Sequence, residues 1–333
     1  MLFITNRAIK EDKKLKPGRE ITFDINDNRA GQDVYFCEKK GKENYIELGS
    51  VQFLNRLKNC KEKQILIYIH GYSNLPKEHI FPRASMLQTL FDIKEKGLVQ
   101  VIPLIWPCDN DFGSLKDYWD DQRAADASAF AFGRVFEMFM KWREKEDNIK
   151  NPCMKRINVL AHSMGNRVLR ESVKAWAKYD RNYSLPIIFR NSFLASADVV
   201  NETLEPGKDG NLVCQCSRNV TVYYASDDLA LRASKITNLK NKIASRRLGH
   251  TGPESPNQVP KNVYSVDCDD VNTKYDFPAG HSYFLDNGKK PKKGRKLVPG
   301  VVFKHMFNSI KTGRVKDEPL GSKNMILETT TKI

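Results

Sequence analysis

Ile157-Asn158-Val159-Leu160-Ala161-His162-Ser163-Met164-Gly165-Asn166 is an apolar run, a turn of small residues around a serine, and the opening of a helix. The helix continues with Arg167, Val168, Leu169, Val173 and Trp176, apolar at the spacing of one helical face. Small residues two before and two after the serine let the chain turn sharply from strand to helix. The hydroxyl is then held at the strand's C-terminal end, beside the positive end of the helix dipole. This is the nucleophile-elbow pattern G-x-S-x-G with Ala161 in place of the first glycine. Ala is also small, so the steric logic survives, and Gly165 keeps the second small position.

The elbow belongs to a repeating rhythm. Gln64–Ile69 and Val99–Trp106 are continuous apolar runs, the form of strands buried on both faces. Helical patterns follow at about 82–95 and 116–145, the second carrying Phe132, Val135, Phe136, Phe139 and Trp142 as a core stripe. After the elbow, strands at 187–194, 220–225 and 262–267 alternate with a polar loop and with helices at about 229–244 and 299–311. This predicts an α/β fold: a mostly parallel, doubly wound sheet with helices on both faces. Residues 1–60 read as a hairpin-rich β extension packed on a main domain at 61–312, and 313–333 as a loosely held polar tail.

A serine nucleophile needs an oxyanion hole, a base and an orienting acid. Met164, directly after the serine, supplies one backbone N–H. The loop Ile69-His70-Gly71-Tyr72-Ser73-Asn74 follows an earlier buried strand. There Gly71 permits close backbone approach and the N–H of Tyr72 is the natural second donor. His70 reads as a structural histidine bonding the loop. Six histidines exist, at 70, 79, 162, 250, 281 and 305. With the chain order serine, acid, histidine, only the last three qualify. His305 falls inside a helical pattern and His250 precedes the last strand, which leaves His281. The acid lies in Ser226-Asp227-Asp228-Leu229: one carboxylate orients the imidazole and the other caps the next helix, and position does not separate them. Asp198 is a third candidate, read first as a loop or capping residue. The aromatic segment from Pro107 to Asp126, with Trp106, Phe112, Tyr118 and Trp119, should wall the acyl pocket.

Hydrophobic residues are 40% and charged residues 29% of 333, the composition of a folded chain with a sizeable core. The longest apolar run is far below the ~20 residues of a membrane span. The start, Met1-Leu-Phe-Ile-Thr-Asn-Arg7, has no signal-peptide pattern, and with an odd seven cysteines the expected compartment is a reducing cytoplasm. Cys214-x-Cys216 has the wrong spacing for zinc, so neither metal nor cofactor is expected. Fifty-five Lys and Arg outweigh forty Asp and Glu. The lysines are scattered, which reads as a solvated basic surface with no specific nucleic-acid motif. One run, Lys289, Lys290, Lys292, Lys293, Arg295 and Lys296, forms a loop able to meet an anionic membrane.

The pieces I-H-G-Y-S-N, L-I-W-P, L-A-H-S-M-G-N-R-V-L, A-S-D-D-L-A-L and G-H-S-Y-F, in this order over about residues 60–285, resemble a bacterial α/β-hydrolase family long catalogued as a domain of unknown function. The resemblance implies an α/β-hydrolase sheet and a Ser–Asp–His triad. It puts Asp228 in the acid's place by match to the family's S-N-D-x-A-L stretch, with Ser163 and His281 as partners. Ser196-Ala197-Asp198 stands where the family often has A-P-D. The expected activity is a serine hydrolase cleaving a carboxylic ester, esterase- or lipase-like, through an acyl-enzyme. A thioesterase or acyltransferase would share that intermediate. The contrasting reading is a catalytically silent hydrolase fold that binds nucleic acid, acidic lipid or a protein partner.

Overall fold

The computed structural model describes residues 1–12, 14–108, 115–232, 246–288 and 297–333. Eleven strands form one sheet: β1 (Leu2–Thr5), β2 (Glu20–Ile21), β3 (Tyr35–Lys39), β4 (Tyr45–Glu47), β5 (Gln64–Ile69), β6 (Val99–Ile105), β7 (Arg156–His162), β8 (Phe189–Ala195), β9 (Ser217–Tyr224), β10 (Val263–Asp267) and β11 (Asn324–Ile326). Their spatial order is β11-β10-β9-β8-β7-β5-β6-β1-β3-β4-β2. From β11 through β1 every pairing is parallel; β3, β4 and β2 add an antiparallel end.

The continuous apolar runs are explained by the two faces they serve. In β5, Ile65 and Ile69 enter one core, beneath the helices Ser50–Asn59, Leu115–Arg143 and Gly165–Asp180. Leu66 and Tyr68, pointing the other way, enter a second core beneath the helices Phe81–Glu95 and Val301–Thr312. The helix Leu115–Arg143 buries Phe132, Val135, Phe136 and Trp142, the aromatic stripe anticipated as core.

Three expectations change in three dimensions. Of the N-terminal strands read as hairpins, β3, β4 and β2 form the antiparallel end of the sheet, but β1 lies parallel beside β6 and joins the main sheet. Residues 50–59, read as β-type surroundings, form a helix whose Phe53, Leu54 and Leu57 are buried. The polar tail is not loose, since β11 pairs with β10, its Met325 is buried, and so is Leu327 directly after the strand. Three apolar residues among polar ones gave no periodicity, yet one strand edge is enough to hold them. The helix expected over 229–244 begins at 229–232, and its remainder lies outside the described residues, as do Phe112 and the basic run 289–296.

Candidate active site

Ser163 follows β7 and has φ 54, in the left-handed region that an L-residue adopts at a cost of about 1–3 kcal/mol. Tertiary hydrogen bonds hold it there. Its N–H donates to the Ala195 carbonyl (3.0 Å), and its own carbonyl accepts from the N–H of Asp198 (3.2 Å) and of Asn166 (3.1 Å). The Asn166 side chain adds donations to the carbonyls of Ala161 and Ser163, both 3.0 Å. Packing explains why the two small positions differ. A Cβ on Gly165 would fall 2.5 Å from the His70 carbonyl oxygen and 2.6 Å from that of Ile69, so only glycine fits. Ala161 is fully buried and accommodated.

Ser73 (φ 55) and Ser196 (φ 44) share the left-handed conformation. All three strained serines stand where the chain leaves β5, β7 and β8, at the C-terminal edge of the sheet where α/β folds place their sites.

His281 meets this edge from the loop after β10. Its Nδ1–H donates to Asp228 Oδ2 at 2.7 Å. Asp228 is fully buried, and its second oxygen accepts from the N–H of Leu231 at 3.0 Å. One carboxylate therefore both orients the imidazole and caps the following turn, two tasks the sequence reading divided between neighbours. Asp227 turns aside and accepts from the Asn272 side-chain amide. Burial works against the charged form of His281, but Asp228, by charge and hydrogen bond, outweighs it with help from Asp198 and Asp276. The imidazole pKa is raised above its ordinary value.

The backbone of His281 is fixed from two sides. Its N–H donates to Asp276 Oδ2 (2.9 Å), and its carbonyl accepts from Ser196 Oγ–H (2.8 Å) and from His162 Nε2–H (3.2 Å). His162 is buried, above all by desolvation its pKa lies far below the ordinary range, and its ring lies 4.8 Å from that of His281. Sequence reasoning did not single out His162, Ser196, Asp276 or Asn166. The only local signal was that two of them sit inside the elbow motif.

The loop at 70–74 packs directly on the turn at Ser163. A Cβ on Gly71 would lie 2.9 Å from Ser163 Cβ. His70 is fully buried and stacks on Trp106, with ring centroids 5.1 Å apart. Its Nδ1–H donates to the Gly71 carbonyl (2.7 Å) and its Nε2 accepts the Trp106 N–H (3.2 Å). Burial pushes its pKa down to about 3, so the ring is a neutral brace. Trp106 is correspondingly sealed beneath this brace and is not part of a pocket wall. Met164, also buried, precedes the helix Gly165–Asp180, where backbone N–H groups lack intrahelical acceptors. Tyr72 is partly exposed and its ring meets Tyr118 edge-on at 5.8 Å. Tyr118 donates its hydroxyl to Asp198 Oδ2 (2.7 Å), and Asp198 Oδ1 lies 3.2 Å from Arg247 Nε. Asp198 thus joins two elements and does not meet His281 directly.

Among the described residues no group of three or more His, Cys, Asp and Glu side chains is arranged to hold a metal ion. His305 is engaged elsewhere, buried between Tyr223 OH (2.8 Å) and the Lys316 carbonyl (3.0 Å).

Residues 49–290 match the family model described as an alpha/beta hydrolase of unknown function (DUF900). The chain belongs to this family. A search of curated proteins finds no match. Among solved structures, phospholipase PlaB from Legionella pneumophila is similar at 14% identity and a TM-score of 0.26, over 71% of this chain. The chain spans about half (49%) of the length of that protein. The strand order, the helices on both faces and the family together make this an α/β-hydrolase fold. Among the described residues no helix is long and apolar enough to cross a membrane.

Gly71→Ala provides a local check on the loop–elbow contact. The added methyl must push the loop from Ser163 by a few tenths of an ångström. On the serine-hydrolase reading proposed below, turnover should then fall about 10- to 100-fold while the melting temperature changes little. Parallel rate and melting measurements distinguish this from general unfolding.

Proposed function

We propose that this α/β hydrolase is a serine hydrolase that cleaves a carboxylic ester through an acyl-enzyme. The observation that carries this reading is the convergence of a strained Ser163 and an Asp228-bonded His281 at one edge of the sheet. His281 Nε2 takes the proton of Ser163 as Oγ attacks the acyl carbon. Asp228 holds the tautomer with Nδ1 protonated and stabilises the imidazolium. The N–H groups of Tyr72 and Met164 stabilise the oxyanion. His281 then returns the proton to the departing alcohol, and water, activated by the same base, releases the acid. Gly71 and Gly165 keep the two loops in contact, and His70 braces the oxyanion loop.

The test is labelling of the purified protein by a fluorophosphonate, followed by peptide mapping. A single adduct on Ser163 supports the reading. Absence of any adduct on the active preparation, or an adduct elsewhere, overturns it.

The pH dependence has a defined sign. The base must be neutral, and its pKa is raised in the folded protein. Ester hydrolysis should therefore be present at high pH and lost as pH falls, with the acid limb of kcat/KM above the ordinary imidazole value of about 6.5. A pH–rate profile checks this, and a limb below that value would count against Asp228 as the partner.

A further inference from the structure

The opposite edge of the sheet, where the parallel strands begin, carries a row of cations. In spatial order these are Lys261 before β10, Arg218 on β9, Arg190 on β8, Arg156 on β7 and Lys63 before β5. Register aligns them: Phe189 pairs with Ser217 and Asn191 with Asn219, so Arg190 and Arg218 are side by side, and Arg156 begins the next strand. Five neighbouring strands at roughly 4.8 Å spacing make the row about 20 Å long.

We propose that this basic edge docks the protein on an anionic lipid surface. None of the five cations has an ion-pair partner among the described residues. Glu95, which feels the charge of Lys63, is itself paired with Lys311 at 2.9 Å. Arg190 is half-buried against Gly313, and its Nε is sealed from solvent without a hydrogen-bond partner. Burial, together with the charges of Arg156 and Arg218, lowers its pKa, the sign of like charges held close. The C-terminus of the helix Val301–Thr312 explains a cation at Arg190 alone. Strand dipoles are small, and parallel strands turn their weakly positive ends to this edge, so they give no such reason for the other four.

The row continues into a surface cleft lined by Lys58, Lys61, Lys63, Lys155 and Arg156, with no carboxylate among its lining residues. Long apolar side chains stand among these charges. Met154, two residues before β7, is 81% exposed, and Ile187, two before β8, is 66% exposed. Apolar tips gain nothing against a nucleic-acid backbone but are stabilised at the boundary between head groups and acyl chains. Their presence favours a membrane over a polynucleotide. The seven residues of β7 set the distance to Ser163 at about 20 Å. Docked this way, the Ser163 end of the sheet faces water. The proposal does not depend on the hydrolase reading.

The experiment is sedimentation of the full chain with vesicles of phosphatidylcholine alone, or of phosphatidylcholine containing about one third phosphatidylglycerol. Binding should appear with the anionic vesicles and weaken with salt. At about fivefold per basic residue, the triple variant Arg156→Gln, Arg190→Gln, Arg218→Gln should lose about 100-fold in partition coefficient. Met154→Ser with Ile187→Ser should weaken binding at unchanged charge. Melting temperature serves as the folding control. Binding that ignores anionic content, or survives the triple substitution in a folded protein, overturns the proposal. So does salt-sensitive retention of an RNA or DNA oligonucleotide by a protein that does not bind the anionic vesicles.

Discussion

Ser163→Ala and His281→Ala are each expected to lower ester turnover by about 10⁴- to 10⁶-fold while leaving the fold intact. Neither substitution adds volume. The Ser163 N–H on the Ala195 carbonyl, and the N–H groups of Asn166 and Asp198 on the Ser163 carbonyl, already fix the chain, and alanine keeps those bonds. His281 likewise keeps its backbone bonds to Asp276, Ser196 and His162 when its ring is removed. The double variant should be no worse than either single one, because nucleophile and base act as one unit. Turnover of a short-chain p-nitrophenyl ester, read with circular dichroism, checks both statements. Residual turnover within tenfold of wild type in folded Ser163→Ala would remove the serine from the mechanism. Additive losses in the double variant would mean that the two residues act in separate steps.

The second large effect distinguishes adjacent carboxylates. Asp228→Asn should cost about 10⁴-fold in kcat, because an amide facing Nδ1 favours the wrong tautomer while filling the same space. It should also move the acid limb of the pH profile down, since Asp228 is the chief group raising the His281 pKa. Asp227→Asn should retain turnover within a few-fold, as its carboxylate bonds Asn272 and not the imidazole. Equal losses in the two variants would show that the loop, and not one carboxylate, is what the imidazole needs. Melting temperatures separate the cases further: Asp228 is fully buried and also caps the turn at Leu231, so its substitution carries a stability cost that Asp227→Asn does not.

The sequence by itself determined the α/β alternation, the elbow around Ser163 and the singling out of His281. These depend on local signals: apolar runs long enough for strands buried on both faces, small residues flanking a serine, and a histidine in the loop after the last central strand. The resemblance of the chain to its family then distinguished Asp228 from Asp227. Only the tertiary structure decided which atoms meet. Whether Asp227 or Asp228 faces His281 depends on the rotation of one turn after β9. The clamp of His162 and Ser196 on the His281 carbonyl joins β7 and β8 to a loop more than eighty residues on, a proximity no spacing encodes. Asp198, near the site in sequence logic, was claimed by Tyr118 and Arg247 from two other elements. The basic edge was hidden for the same reason. Lys63, Arg156, Arg190, Arg218 and Lys261 are far apart and look scattered along the chain, and become a row only because parallel strands start at one edge. Local patterning fixes the elements, whereas neighbours across a sheet follow from strand order, which is set by packing both faces at once.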